Sequence, residues 1–214
     1  MIKKRIKKLI VAVPLFLKWY KKGYFNKAIR RQRIVNFFFK VFLRVNADCP
    51  WSVHFTSKVG APQNIKIEEG EFSSYVYNSF LLSGNCYIQG GNGIEFGEGT
   101  LFAPGVKIIS ANHSLKDYSK WEKDTPIKIG KFCWIGANAV ILPGVILGDY
   151  TVVGAGSVVT RSFPSYVIVG GSPAKIIGYR CKNCGDKLSQ KNEKLICDNC
   201  GSTYKLEDFV QIEK

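Results

Sequence analysis

The sequence has little of several things, and each shortage excludes something. It has two histidines and one methionine in 214 residues. Two imidazoles cannot complete a catalytic zinc site built from three histidine ligands. Long hydrophobic runs are missing as well. The stretch Leu9 to Leu17 is nine residues long and is interrupted by Pro14, well short of the roughly 20 residues that cross a bilayer. A basic start precedes it, but only Lys18, Lys21 and Lys22 follow, with no small-residue cleavage site, so a signal peptide is not expected. Acidic residues are absent from positions 1 to 44, where fourteen Lys and Arg fall. The other seventeen basic residues face all sixteen acidic ones from residue 45 onward. The net charge of +15 therefore belongs to the N-terminal segment, and any anionic partner should meet the chain there.

What is abundant is a six-residue period. From Ile129 the chain divides into IGKFCW, IGANAV, ILPGVI, LGDYTV, VGAGSV and VTRSFP. The first positions are Ile129, Ile135, Ile141, Leu147, Val153 and Val159. The fifth positions are Cys133, Ala139, Val145, Thr151, Ser157 and Phe163, mostly small, and glycine holds the second position in four of the six hexads. The register runs back through Ile108, Phe102 and Phe96. One large and one small inward residue per hexad suits a solenoid with three flat sides. Each coil then takes 18 residues and buries its apolar side chains only by stacking on its neighbours. On that count residues 50 to 177 supply about seven coils. A sandwich of short strands would instead show period two with irregular spacing.

The stretch IKIGKFCWIGANAVILPGVILGDYTVVGAGSVVTRSFPSYVIVGGSPAKII, with the histidine segment before it, resembles the hexapeptide-repeat acyltransferases. Within that family it is most similar to the maltose, galactoside and polysaccharide O-acetyltransferases. The resemblance covers roughly residues 80 to 177 and implies a mainly β chain folded as a left-handed parallel β-helix. It also implies a homotrimer and acetyl transfer from acetyl-CoA to a sugar acceptor.

The period breaks once. From Ile108 to Ile129 is 21 residues, three more than a coil, and the extra chain in SANHSLKDYSKWEKDTP begins with His113. A sugar hydroxyl is too weak an acid to attack a thioester unaided, so a base of near-neutral pKa must take its proton as the bond forms. The resemblance gives that task to His113, with backbone N–H groups of a neighbouring coil holding the oxyanion. His54 is expected to be an ordinary surface residue. Tyr118 and Trp121 offer rings to a sugar face. Ser83, with Asn85 two residues on, aligns where related enzymes use an asparagine for the acceptor. For the donor, the resemblance points to Trp134 beside the pantetheine arm and to the main chain at Gly154, Ala155 and Gly156. Toward the nucleotide it points to Thr160, Arg161 and Lys175. Cys133 sits in a small interior slot and reads as packing, not as a nucleophile.

Two appendages flank the repeat. Cys181, Cys184, Cys197 and Cys200 follow the pattern C-x2-C-x12-C-x2-C, each pair followed by glycine. Two thiolate pairs on tight turns close a tetrahedron around structural Zn2+, a zinc ribbon with no open coordination position. An odd cysteine total with paired spacing also points to a reducing compartment and a metal instead of a disulfide framework. At the other end, Ile2, Ile6, Leu9, Ile10, Val13 and Leu17 fall on one helical face against a cluster of lysines and Arg5. The later stretch AIRRQRIVNFFFKVFLRVN mixes phenylalanines with further cations. Such a segment suits an anionic membrane surface, or a helix folded back onto the first coil, and gives no reason to expect nucleic acid.

The chain thus divides into a basic amphipathic helical arm over 1–48, a β-helix acyltransferase domain over 49–178 and a zinc ribbon over 179–214. The expected protein is cytoplasmic and peripheral to the inner face of the cell membrane, and acetylates a sugar of a bacterial surface polysaccharide or its lipid-linked precursor. Two alternatives stand beside it: an acetyltransferase for a small soluble acceptor such as a free sugar, nucleotide sugar or antibiotic, and a non-catalytic β-helix scaffold.

Overall fold

Each hexad contributes a strand of two or three residues to one of three parallel sheets, and the chain visits the sheets in rotation. The computed structural model describes residues 27–191 and 194–209. The apolar face expected from Ile2 to Leu17 lies outside them.

The first face stacks Lys58–Gly60, Tyr87–Gln89, Lys107–Ile109, Val140–Ile141 and Val158–Val159. Its register puts Val59, Ile88, Ile108, Ile141 and Val159 in one inward column. The second face stacks Ile65–Ile67, Ile94–Phe96, Ile127–Ile129 and Ile146–Leu147. The third stacks Leu101–Phe102, Trp134–Ile135, Val152–Val153 and Val167–Gly171. Its inward column is Phe102, Ile135, Val153 and Val169. All the first-position residues from Ile129 to Val159 and all the fifth-position residues from Cys133 to Phe163 are buried. Burying each large apolar side chain contributes about 1.5–3 kcal/mol. The mainly β class and the parallel β-helix of hexapeptide repeats are therefore what the sequence leads to.

The solenoid is shorter than the length suggests. Its parallel sheets hold four or five strands each, so there are about five coils and not seven. Part of the difference is helix α2, Ser73–Leu82, which interrupts the succession of strands. It buries Val76, Ser79, Phe80 and Leu81 and stands, in chain order, where a third-face strand would. Ser79 and Ser83 complete the exposed strand edge there. The Ser79 hydroxyl accepts from Phe102 N at 3.1 Å, and the Ser83 hydroxyl donates to Phe102 O at 2.7 Å. Phe80 meets the rings of Phe96 and Phe102 edge-on. The strand ladder is thus closed by side-chain hydrogen bonds instead of another strand.

Helix α1, Lys27–Phe42, docks beside this end. Asn36 is buried, donating to Leu81 O and accepting from Phe55 N. Phe39 stacks on Phe55 at 4.3 Å. Lys40 reaches Trp51 O at 3.2 Å and also Cys49 O, and burial lowers its pKa. The opposite side of α1 leaves Ile34, Phe38 and Phe42 exposed, as is Leu43 just after its end.

One corner of the solenoid carries a column of aromatic residues in the left-handed region, Phe132, Tyr150 and Tyr166. Their rings stack at 5.2 and 4.7 Å, contact that offsets part of the backbone strain. Beneath Phe132 only glycine fits. A Cβ on Gly99, at φ +73°, would come within 2.3 Å of the ring.

At the far end, Val167–Gly171 pairs antiparallel with Ala174–Tyr179. Beyond it a three-stranded antiparallel unit comprises Ser189–Lys191, Lys194–Ile196 and Thr203–Tyr204. Arg180 joins this unit to the solenoid corner, donating to Gly185 O and Tyr150 O.

Candidate active site and metal centre

The break in the repeat is an anchored hairpin. Its root is fixed by the buried Gln89, which follows the inward Ile88 and pairs with Ile109 in the first-face register. Ala111 N donates to Gln89 Oε1 at 3.0 Å, and Gln89 Nε2 donates to Ala111 O at 3.5 Å. The buried Ser110 hydroxyl donates to Gln89 O and accepts from Asn92 N. Further out, Asn92 Nδ2 donates to Glu122 O at 3.0 Å, and Glu122 N to Asn112 O at 2.9 Å. His113 and Trp121 face each other in an antiparallel bridge, and Ser114 N closes on Lys120 O. At the tip Asp117 accepts from the backbone and hydroxyl of Ser119 and pairs with Lys120 at 3.1 Å. The bond from the Ser119 hydroxyl holds the Asp117 carboxyl below its ordinary range.

His113 is thereby presented to solvent on a short, tied loop. The indole of Trp121 lies against its ring, with centroids 4.0 Å apart and planes 30° from parallel. Tyr118 and Leu115 project from the same lip and are largely exposed. Sequence reasoning passed over Gln89, Asn92 and Ser110. No period marks them, because Gln89 falls outside the inward column that the hexads repeat.

Chain order separates the remaining expected residues. His113 lies on the edge between the first and second faces, and Thr160 and Arg161 lie on the same edge two coils later. The turn Gly154–Ala155–Gly156 is on the edge between the third and first faces. Trp134 points outward from the third face, 58% exposed, beside Leu101 and Val152. Lys175 is exposed on the returning strand of the terminal hairpin, paired with Gly170. A single chain does not bring the base together with Trp134 and the glycine turn. Ser83 is buried with its hydroxyl committed to Phe102 O, whereas Asn85 is exposed at a corner. Cys133 is 1% exposed, and burial pushes its thiol up to about 12, so no thiolate nucleophile is available there.

The four C-terminal cysteines converge. All four sulfurs lie within 4.8 Å of one another. Cys181–Cys200 and Cys184–Cys197 are each 3.4 Å apart, and Cys184–Cys200 is 3.6 Å. Tetrahedral Zn–S bonds of about 2.3 Å require sulfurs about 3.8 Å apart, so the cluster fits that ion with little adjustment. Each pair sits on a tight turn, closed by Gly185 N to Cys181 O and Gly201 N to Cys197 O. Both glycines have positive φ, which a side chain would disfavour.

Parts of the chain are similar to known proteins. Residues 126–161 match the bacterial transferase hexapeptide family (six repeats). The dTDP-3-amino-3,6-dideoxy-α-D-galactopyranose 3-N-acetyltransferase of Aneurinibacillus thermoaerophilus is 49% identical over 76 residues, 36% of this chain and 38% of that protein. The galactoside O-acetyltransferase of Escherichia coli (strain K12) is 32% identical over 123 residues, 54% of this chain and 61% of that one. Among solved structures, a hexapeptide-repeat acetyltransferase of Vibrio cholerae complexed with acetyl coenzyme A is similar at 30% identity and a TM-score of 0.42, covering 60% of this chain and 62% of that one. The chain thus spans between two-fifths and three-fifths of the length of the two curated relatives. The resemblance to hexapeptide-repeat acyltransferases, including the galactoside O-acetyltransferases, is borne out.

Proposed function

We propose that the protein transfers an acetyl group from acetyl-CoA to a sugar hydroxyl of a bacterial surface polysaccharide or its lipid-linked precursor, with His113 as general base. The observation that carries this is a solvent-facing histidine on a tied loop at the edge of a hexapeptide β-helix. The His113 imidazole takes the acceptor proton as the oxygen bonds to the acetyl carbon. The C–S bond then breaks and the proton passes to the departing thiolate. Trp134, the Gly154–Gly156 turn, Thr160, Arg161 and Lys175 are the donor contacts, with glycine and alanine letting a thin cofactor lie against the backbone. Tyr118, Asn85 and the loop lip remain on the acceptor side, while Ser83 supports them from within the fold. Because His113 and the glycine turn occupy different edges of one chain, the complete site forms between copies, in keeping with a homotrimer.

A second acceptor class has its own support in the 49% identity to a nucleotide-sugar N-acetyltransferase: an amino group on a dTDP-linked sugar. Release of free thiol from acetyl-CoA in the presence of methyl β-galactoside, or of a dTDP-amino-dideoxysugar, separates the two. In either case His113→Ala lowers the rate on the order of 10²–10⁴-fold with thermal stability retained. A folded His113→Ala protein with full activity would refute the base assignment and favour a scaffold.

The four cysteines hold structural Zn2+ in this reading. The basic segment, with the exposed Ile34, Phe38 and Phe42 of α1 and Leu43 just beyond it, lies on an anionic membrane surface, which would place the protein at the inner face of the cell membrane. Among the described residues no helix is long and apolar enough to cross a membrane. Removing residues 1–44 should abolish sedimentation with phosphatidylglycerol vesicles, and unchanged pelleting of the truncated protein would sink the membrane contact.

A further inference from the structure

A general base must hold one ring nitrogen toward the acceptor, and the other nitrogen commonly fixes the ring through a carbonyl or carboxylate. Among the described residues, no hydrogen bond to either nitrogen of the His113 ring is found. His54 differs, with its Nδ1 2.9 Å from Thr56 Oγ1. What His113 has instead is the indole of Trp121, at 4.0 Å and 30°. The pair is built in by the backbone. The antiparallel bridge sets the two residues directly opposite each other, the arrangement in which cross-strand side chains meet. Bonds from Ser114 N to Lys120 O and from Glu122 N to Asn112 O close it on both sides. Trp121 is 55% exposed, so the imidazole is a principal support of the indole, as the indole is of the imidazole.

We propose that Trp121 is a positioning residue for the base: its stacked indole fixes the plane of the His113 ring and supports the positive charge that the ring gains on taking the acceptor proton. This rests on the acyl-transfer reading above and assigns Trp121 a different task from contact with the sugar. Stacking leaves both ring nitrogens at the free edge of the imidazole, one to receive the proton and the other open to water or the acceptor. When the proton arrives, the imidazolium lies over the face of the aromatic ring that best accepts a cation. It then gives the proton to the CoA thiolate as the C–S bond breaks, so the ring returns to its starting state. The loop supplies geometry and charge support together, and the solenoid supplies only its roots.

The chain's two histidines make the test direct, because the imidazole C–H proton resonances number two sets, assigned by the loss of one set in His113→Ala. In the full-length protein the indole ring current should hold the His113 resonances upfield. Trp121→Ala should move them toward the positions of free imidazole and leave those of His54 in place. The same variant should lower kcat for thiol release from acetyl-CoA about 10- to 100-fold, with methyl β-galactoside as acceptor or with water alone, while the KM for acetyl-CoA stays unchanged. Trp121→Phe, which keeps a stacking ring, should restore most of kcat. Unmoved His113 resonances in Trp121→Ala would overturn the proposal by showing that the rings do not stack in solution. A raised galactoside KM with kcat retained would overturn it as well and make Trp121 an acceptor contact. Full activity in His113→Ala would remove the base assignment itself, and the ring-current shift would then report only a structural pair.

Discussion

The solenoid and the C-terminal ribbon are both built from short strands, but they are held together by different means. In the solenoid the inward columns run unbroken through neighbouring coils, from Ile88 to Val159 on one face and from Phe102 to Val169 on another, and almost every member is fully buried. In the ribbon the described core is Cys181, Leu188, Leu195, Cys197 and Phe209, two of which are also metal-ligand candidates. Three short strands with so few apolar residues cannot offset the entropy of ordering the chain. The solenoid can be stable through repetition alone, whereas on the reading proposed above the ribbon relies on an ion shared by its four sulfurs. The difference teaches that stability here is distributed in one region and concentrated in the other.

The sharpest way to break that contrast is to remove the proposed metal. Chelation, or Cys197→Ser, should abolish amide-exchange protection in residues 181–204 and leave the strands from Tyr87 to Val169 protected. Structural zinc sites contribute on the order of 10 kcal/mol to small domains of this kind. Retention of bound zinc by Cys197→Ser, measured by elemental analysis, would refute the four-sulfur site. A smaller effect is expected inside the solenoid. Ile135→Ala should cost about 2–5 kcal/mol in denaturant unfolding, because the column cannot collapse around the missing atoms without moving the strands above and below. Protection should fall in the flanking coils and be unchanged in the zinc-loaded ribbon. Loss confined to the substituted coil would contradict a cooperative stack.

The smallest effect is electrostatic and belongs to the solenoid's outer surface. Lys131 bridges Glu68 at 2.8 Å and Glu98 at 3.6 Å, and the Lys131 bond lowers the Glu68 pKa. A carboxylate with a depressed folded pKa adds stability above its unfolded pKa and loses it as pH falls through the folded value. Lys131 is raised by the same bond, and its share persists until pH rises through its own folded pKa, above the ordinary lysine value. Lys131→Ala should therefore lower the melting temperature slightly at neutral pH, and the difference should vanish as pH falls below the depressed Glu68 value. These groups are well exposed, so added salt should reduce the gap too. A difference that survives full protonation of Glu68 would assign it to packing of the lysine stem instead.

The loop at His113 stands between these two regimes. Its roots are buried in the repeat through Gln89 and Ser110, while its tip is held by local turns and one pair of rings. From the sequence, the excess of three residues over a coil and the histidine within it were both legible. The bonds from Gln89 to Ala111 were not, because a glutamine at the end of a strand gives no period to count. The helix over Ser73–Leu82 escaped for a related reason. Its aromatic and aliphatic residues also satisfy an alternating strand pattern, and the requirement it meets, closing the edge at Phe102, arises only once the coils are stacked. The seven expected coils became about five partly because the helix and the loop consume chain length without adding strands.

The chain by itself determined the inward columns, the corners and the four-cysteine pattern, because period and spacing are local properties that every acceptable fold must satisfy. Tertiary structure alone decided which side chains meet across that frame. It placed Ser83 on a strand edge, seated α1 through Asn36 while leaving its phenylalanines outward, and laid Trp121 on His113. Those contacts join residues that are distant in sequence or opposed across a turn, and their geometry follows from backbone register, which composition and spacing do not encode.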